Sequence, residues 1–129
     1  MKDKMEVNKD NMRLWVADLR SGVYPQGVMA LCYRIGNSGW KHCCLGVACK
    51  TAINSGLEVE VRESIGNKSF DNDETELPES VMDWLGIDQQ NPVVGLDAFG
   101  AEVTAMEAND KFNWDFNQIA DAIEKYYEL

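Results

Sequence analysis

The chain lacks any long apolar run, and this absence excludes several classes of protein. No stretch of its 129 residues is apolar enough for a signal peptide or a membrane span, so we expect a protein of the cytoplasm. Internal repeats and low-complexity segments are missing too, which argues against repeat architectures. The length suits one domain that buries its own core, and we predict a single domain over residues 1–129 with residues 1–7 flexible.

Cysteine pairs of the metal-binding type are also missing. The four cysteines are Cys32, Cys43, Cys44 and Cys49, and no Cys-x-x-Cys pair occurs among them. Together with His42 they offer donors that zinc prefers, but a passage from strand to helix would point neighbouring side chains apart. Adjacent cysteines cannot readily bridge each other, and a chain without a secretion signal keeps its thiols reduced. We therefore expect thiols in the core, and neither a metal ion nor a cofactor.

Basic residues become scarce after residue 56. Residues 1–56 carry eight Lys or Arg against four Asp or Glu, and residues 57–129 carry four against eighteen, which gives net charges of +4 and −14. Such a balance repels phosphate backbones and lipid headgroups. We expect neither direct nucleic-acid binding nor membrane binding. A cationic partner suits the negative charge better than either of these.

Helical periodicity is clear in several segments. Asn8 can cap a helix that ends at Ser21-Gly22, and a second apolar face follows Cys44. Pro78 suits the start of a short helix, and Thr104 has capping-box spacing before another. The second helix should end at residues 54–56, the third at Gly86 and the fourth at residues 109–110, and a final amphipathic helix should start near residue 113.

Strand signals are fewer and shorter. Residues 28–35 and 40–43 flank a Gly-Asn-Ser-Gly turn and predict a β-hairpin, residues 57–62 alternate between apolar and charged, and residues 93–94 suit a short strand. The acid-rich residues 66–76 predict a loop. The order of elements predicts an α+β fold, in which a small antiparallel sheet, made of the hairpin plus one or two further strands, packs against four to five short helices.

Several short motifs occur in a fixed order along the chain. They are the Trp15-Val-Ala-Asp-Leu-Arg-Ser-Gly run with Tyr24 and Gln26, then Cys43-Cys-Leu-Gly-Val-Ala-Cys, Leu77-Pro with Val81, Trp84-Leu-Gly, Asn109-Asp, and Phe116 with Ile119-Ala-Asp and Ile123-Glu. Together these motifs resemble a family of small uncharacterised proteins encoded by bacteriophages and prophages. The resemblance covers nearly the whole chain and implies a viral setting without a known biochemical activity. His42 stands where relatives often carry an aromatic residue, so the resemblance does not support it as a shared catalytic group.

The sequence assigns no catalytic residue, but it offers one thiol alternative. Cys43 and Cys44 lie where a helix should begin, and a helix N-terminus can lower the pKa of a thiol. His42 would share a strand face with Cys44 as a base, although residues two apart on a strand rarely converge. A thiol-dependent enzyme that uses Cys43 or Cys44 is therefore the alternative to a binding protein.

Two surfaces are candidates for binding. The partner-binding candidates are the acidic residues Asp71, Asp73, Glu74, Glu76 and Glu79. The ligand-binding candidates are Arg20, Tyr24, Arg34 and Trp40, since guanidinium groups and aromatic faces suit a phosphorylated or nucleotide-like ligand.

We therefore predict that the chain is a non-enzymatic binding protein of a phage or prophage. It would act as a monomer or homodimer in the bacterial host, and modulate a host process such as antiviral defence by binding a host protein or a small ligand. A component of the virion or of its assembly is a further alternative, which stable incorporation into particles would reveal.

Overall fold

The computed structural model describes residues 6–129. Its α-helices are α1 (Lys9–Arg20), α2 (Cys44–Asn54), α3 (Glu79–Leu85) and α4 (Phe116–Tyr126), and a π-helix covers Glu107–Lys111. The strands are β1 (Cys32–Tyr33), β2 (Lys41–His42), β3 (Val61–Ser64), β4 (Asn67–Phe70), β5 (Val93–Leu96) and β6 (Glu102–Thr104). The predicted α+β class is confirmed.

The larger sheet is antiparallel and has the strand order β2-β1-β4-β3. Cys32 of β1 pairs with His42 of β2 on one side and with Lys68 of β4 on the other. The predicted hairpin is therefore confirmed, although its strands are shorter than expected. The second sheet is the β5–β6 hairpin, which packs against α4.

The prediction of a loop over residues 66–76 is wrong for its first half. Residues 67–70 form β4, an interior strand of the larger sheet, with Phe70 fully buried. The chain then reverses at Asp71 and Asn72, both at positive φ, where Phe70 and Asp73 exchange backbone hydrogen bonds. This is the type I′ hairpin geometry, which Asp and Asn tolerate better than most residues.

The core lies between α1, the other helices and the larger sheet. One face of α1 buries Met12, Trp15, Val16 and Leu19, and this helix packs against α4, α2 and α3. Trp15 is fully buried, and its Nε1 donates to the carbonyl oxygen of Cys44 at 3.0 Å. The predicted flexible segment 1–7 has its first five residues outside the described part of the chain, whereas Val7 packs into this core.

Helix boundaries agree with the sequence in most places. The side chain of Asn8 caps α1 as predicted, and Gly86 ends α3 in the left-handed conformation. Two boundaries differ. Asn109 and Asp110 do not end a helix but lie inside the π-helix, and α4 begins at Phe116 behind an Asp115 capping box instead of near residue 113. The strand predicted over residues 57–62 is shifted to Val61–Ser64.

The buried side chain of Asn109 connects three parts of the chain. Its Oδ1 accepts from the backbone N–H of Cys44 and from the Gln26 side chain, each at 3.1 Å. Its Nδ2 donates to the carbonyl oxygen of Gly27 and to Asp110 Oδ1, each at 2.8 Å. Asn109 thus caps the start of α2 from a position far along the chain.

Gly46 of α2 lies directly against Leu31, the residue before β1. A Cβ at this position would stand 1.8 Å from the carbonyl oxygen of Leu31, so the backbone would have to shift. We expect Gly46→Ala to lower the free energy of unfolding by about 3 kcal/mol, at the upper end of overpacking costs. Urea denaturation measures this loss.

The matched control is Gly39→Ala, because a Cβ on Gly39 meets nothing within 4 Å. Its stability should change by less than about 0.5 kcal/mol. Equal stability of the two variants would contradict the close contact between α2 and Leu31.

Candidate functional site

An acidic groove with a volume of about 600 Å³ lies beside the turn after β4. Carboxylates come from five of its nine lining residues, and none of the nine is basic. Met82 and Ile87 add apolar surface. The lining residues, referred to below as the acidic groove, are Asp71, Asp73, Glu79, Ser80, Met82, Asp83, Ile87, Asp88 and Gln90.

The type I′ turn fixes one wall of the groove. Asp71 Oδ1 accepts from the backbone N–H of Glu60 at 2.8 Å, and Asp71 Oδ2 accepts from the Ser80 hydroxyl at 2.6 Å. Both oxygens of this carboxylate are therefore oriented by the fold, and the turn is joined to α3. The Asp71 carboxylate therefore has a fixed orientation at this side of the groove.

Helix α3 and the segment after it form the other wall. Glu79 and Asp83 are four residues apart on α3, a spacing that places both on one face of a helix. Gln90 exchanges two hydrogen bonds with the backbone of Leu77, one from each side, and so holds the segment after α3 against its start. The fully buried Leu77 anchors this wall in the core.

The structure brings together three of the five predicted partner-binding residues. Asp71, Asp73 and Glu79 line the groove. Glu74 and Glu76 are not among the lining residues, and the backbone carbonyl of Glu74 accepts from the N–H of Leu31. The sequence analysis missed six lining residues. Asp83 could have been found, because its spacing of four residues from Glu79 puts both carboxylates on one face of a helix.

The four predicted ligand-binding residues divide into different environments. Arg20 forms ion pairs with Asp121 and Glu124 of α4. Tyr24 packs edge-on against His42, with ring centroids 5.1 Å apart, and its hydroxyl accepts from the side-chain amide of Asn54. Arg34 and Trp40 do meet, with the guanidinium carbon 4.6 Å from the centre of the indole ring.

The thiols are closed off from solvent. Cys32, Cys43, Cys44 and Cys49 are all buried and free. Burial raises the pKa of Cys43 to about 11, because desolvation outweighs the backbone N–H groups at the start of α2 that favour a thiolate. Burial also raises the pKa values of the other three thiols. The helix N-terminus is present as predicted, but its effect on the pKa of Cys43 is smaller than that of burial.

His42 does not pair with Cys44. Its Nε2 lies 3.4 Å from Cys32 Sγ, whereas Cys44 Sγ donates to the carbonyl oxygen of Ala105 at 3.6 Å. His42 Nδ1 is buried without a hydrogen-bond partner in the described part of the chain. Burial lowers the pKa of His42 to about 4, with the charges of Lys50 and Lys68 as smaller causes. A neutral imidazole beside protonated thiols has the character of a packed core residue.

Among residues 6–129, no group of three or more His, Cys, Asp or Glu side chains is arranged to hold a metal ion. None of the helices formed by these residues combines the length and apolar character needed to cross a bilayer. What the fold and the groove define is a small acidic α+β domain with a charged concave surface.

This domain has an established family relationship. A family profile described as "Domain of unknown function (DUF8296)" matches residues 6–127, and the chain therefore belongs to the DUF8296 family. Searches of curated proteins and of solved structures gave no match.

The raised thiol pKa values have a consequence for stability. Cys43 loses its proton near pH 9 when unfolded and near pH 11 when folded, so the unfolded state binds fewer protons between these values. We expect the free energy of unfolding to fall as pH rises through this window, by about 1.4 kcal/mol per pH unit for each such thiol. Urea denaturation at a series of pH values measures the slope.

Cys43→Ala is the informative variant, since alanine does not titrate. Its stability should fall less steeply above pH 9 than that of the unchanged protein. An unchanged slope would show that the fold does not disfavour the Cys43 thiolate, and would restore the thiol-enzyme alternative.

Proposed function

We propose that the protein is a non-enzymatic binding protein whose acidic groove takes up a cationic segment of another protein. The observation that carries this proposal is the composition of the groove, in which five carboxylates surround Met82 and Ile87 and no basic residue is present. A groove lined by one sign of charge attracts ligands of the opposite sign and concentrates them locally.

The mixture of acidic and apolar side chains indicates which kind of cationic residue the groove can bind. Lysine and arginine have an aliphatic stem and a charged head, and such side chains bury the stem on apolar surface while the head meets carboxylates. Met82 is half-buried and Ile87 is 7% exposed, so they offer a limited apolar surface beneath an acidic rim. A polypeptide segment with alternating basic and aliphatic residues fits both features.

The distribution of charge along the chain supports the same partner. The groove lies within residues 57–129, which have a net charge of −14, and its carboxylates are part of this excess. Electrostatic attraction of this kind raises association rates and is screened by salt. Binding should therefore weaken as ionic strength increases.

The setting of the partner follows from the resemblance to phage and prophage proteins. In that setting the cationic segment belongs to a protein of the bacterial host, and its capture modulates a host process such as antiviral defence. The thiol alternative receives less support, because Cys43 and Cys44 are buried with raised pKa values.

Charge reversal in the groove tests the proposal. Asp73→Lys combined with Asp83→Lys places two cations among the lining residues. We expect this double variant to bind a lysine-rich peptide with interspersed leucines at least about tenfold more weakly, equivalent to ~1.4 kcal/mol. Fluorescence anisotropy of the labelled peptide measures the affinity.

The matched control is Glu58→Lys combined with Glu128→Lys. Both residues are exposed and outside the groove, and the change in net charge is the same. This control should lose less than about threefold in affinity. An equal loss in both double variants would mean that attraction is spread over the whole surface, and would refute the groove as the binding site.

A further inference from the structure

A second surface carries the opposite charge. Lys68 Nζ lies 4.4 Å from the centre of the Trp40 indole, and the guanidinium carbon of Arg34 lies 4.6 Å from it. We call Arg34, Trp40 and Lys68 the cation–indole cluster. We propose that this cluster binds a phosphate group, either free or carried as a monoester by a small molecule.

The register of the larger sheet places the three side chains on one face. Cys32 pairs with His42 and with Lys68, so the three residues lie in one row across β2, β1 and β4. Arg34 directly follows β1 and Trp40 directly precedes β2, and the alternation of side chains continued by one residue puts Arg34 with Cys32 and Trp40 with His42. Antiparallel pairing therefore builds the cluster from parts of the chain that are distant in sequence.

Arg34 and Lys68 are held close to each other by their shared contact with Trp40. Each lies within 5 Å of the same ring centre, so their charged atoms are within about 9 Å of each other. Within residues 6–129, neither Arg34 nor Lys68 forms an ion pair. Holding like charges this close is unfavourable, and a dianion bound beside the indole within reach of both cations would reduce the repulsion.

Two other arginines already have carboxylate partners within residues 6–129. Arg20 pairs with Asp121 and Glu124, and Arg62 pairs with Glu60.

The chemistry of the donors favours phosphate over a smaller anion. A guanidinium above an aromatic ring keeps its N–H groups free to donate, and an ammonium adds further donors. A tetrahedral dianion can accept from both groups at once, whereas chloride interacts mainly as a point charge. This site is independent of the acidic groove and would exist even if the groove bound nothing.

Titration with inorganic phosphate at constant ionic strength tests the site. We expect the indole N–H signal of Trp40 in a ¹H–¹⁵N spectrum to shift in a saturable way with phosphate, and not with chloride. Arg34→Gln and Lys68→Gln should each weaken phosphate binding at least about fivefold. The control Arg62→Gln, which removes an exposed cation from the neighbouring strand β3, should leave binding unchanged.

A second titration distinguishes the two sources of the phosphate group. Adenosine 5′-monophosphate should bind at the same residues, and tighter binding than inorganic phosphate would identify a small phosphorylated molecule as the ligand. Glu63 stands opposite Lys68 in the β3–β4 register, so Glu63→Gln should strengthen binding by removing a competing charge.

Three outcomes would overturn the proposal. They are equal shifts with phosphate and chloride, unaltered binding in the Arg34 and Lys68 variants, and an equal loss in Arg62→Gln. If Arg34→Gln failed to fold by circular dichroism, Lys68→Gln would carry the test alone, because Lys68 is a half-buried strand residue with polar neighbours Asn67 and Ser69.

Discussion

The amide side chain of Asn109 is the interaction on which the rest of the structure depends. It is almost fully buried, and its hydrogen bonds reach the start of α2, the segment before β1 and the adjacent Asp110. The first turn of a helix has backbone N–H groups without partners inside the helix, and Cys43 provides no side-chain cap. Asn109 satisfies one of these groups from sixty-five residues away, so the order of α2 depends on the π-helix. A buried amide that makes all its hydrogen bonds specifies one arrangement of these parts. An arrangement that left some of its donors or acceptors unpaired would be less stable.

This dependence links residues that are far apart in the sequence. Gln26 donates to Asn109, the paired cysteines begin the helix that Asn109 caps, and Gly46 permits the close approach of that helix to Leu31. Gln26, Cys44 and Asn109 therefore belong to one junction, and Gly46 adjoins it. The two cysteines are most simply explained as small apolar side chains at this junction, since a larger side chain would disturb the contact between α2 and its neighbours.

The sequence predicted the parts of the fold whose signal is local. Helices α1 and α4 have apolar residues at helical spacing and good caps, and both were found. Strand β4 was missed because Asn67, Lys68 and Ser69 are polar and half-buried, so its place inside the sheet comes from pairing on both sides rather than from an apolar pattern. The π-helix was missed for a similar reason, because its geometry follows from the long-range bonds of Asn109. Only part of the acidic groove could be predicted. Asp71 and Asp73 of the turn are close in sequence, whereas Asp83 and Asp88 reach the groove only through the packing of α3.

Strand β4 joins the two charged surfaces. Lys68 belongs to the cation–indole cluster, and only three residues later Asp71 lines the acidic groove. A shift of the strand by one residue would move Lys68 to the opposite face of the sheet and carry the turn away from Ser80. The register is fixed at both ends, by the turn at Gly66 with φ of +75° and by Asp71 and Asn72 at positive φ. The strand separates Lys68 from Asp71 by three residues, roughly 10 Å of extended chain, which is about the Debye length at physiological salt, so solvent screens the two surfaces from each other and each can attract a ligand of the opposite sign.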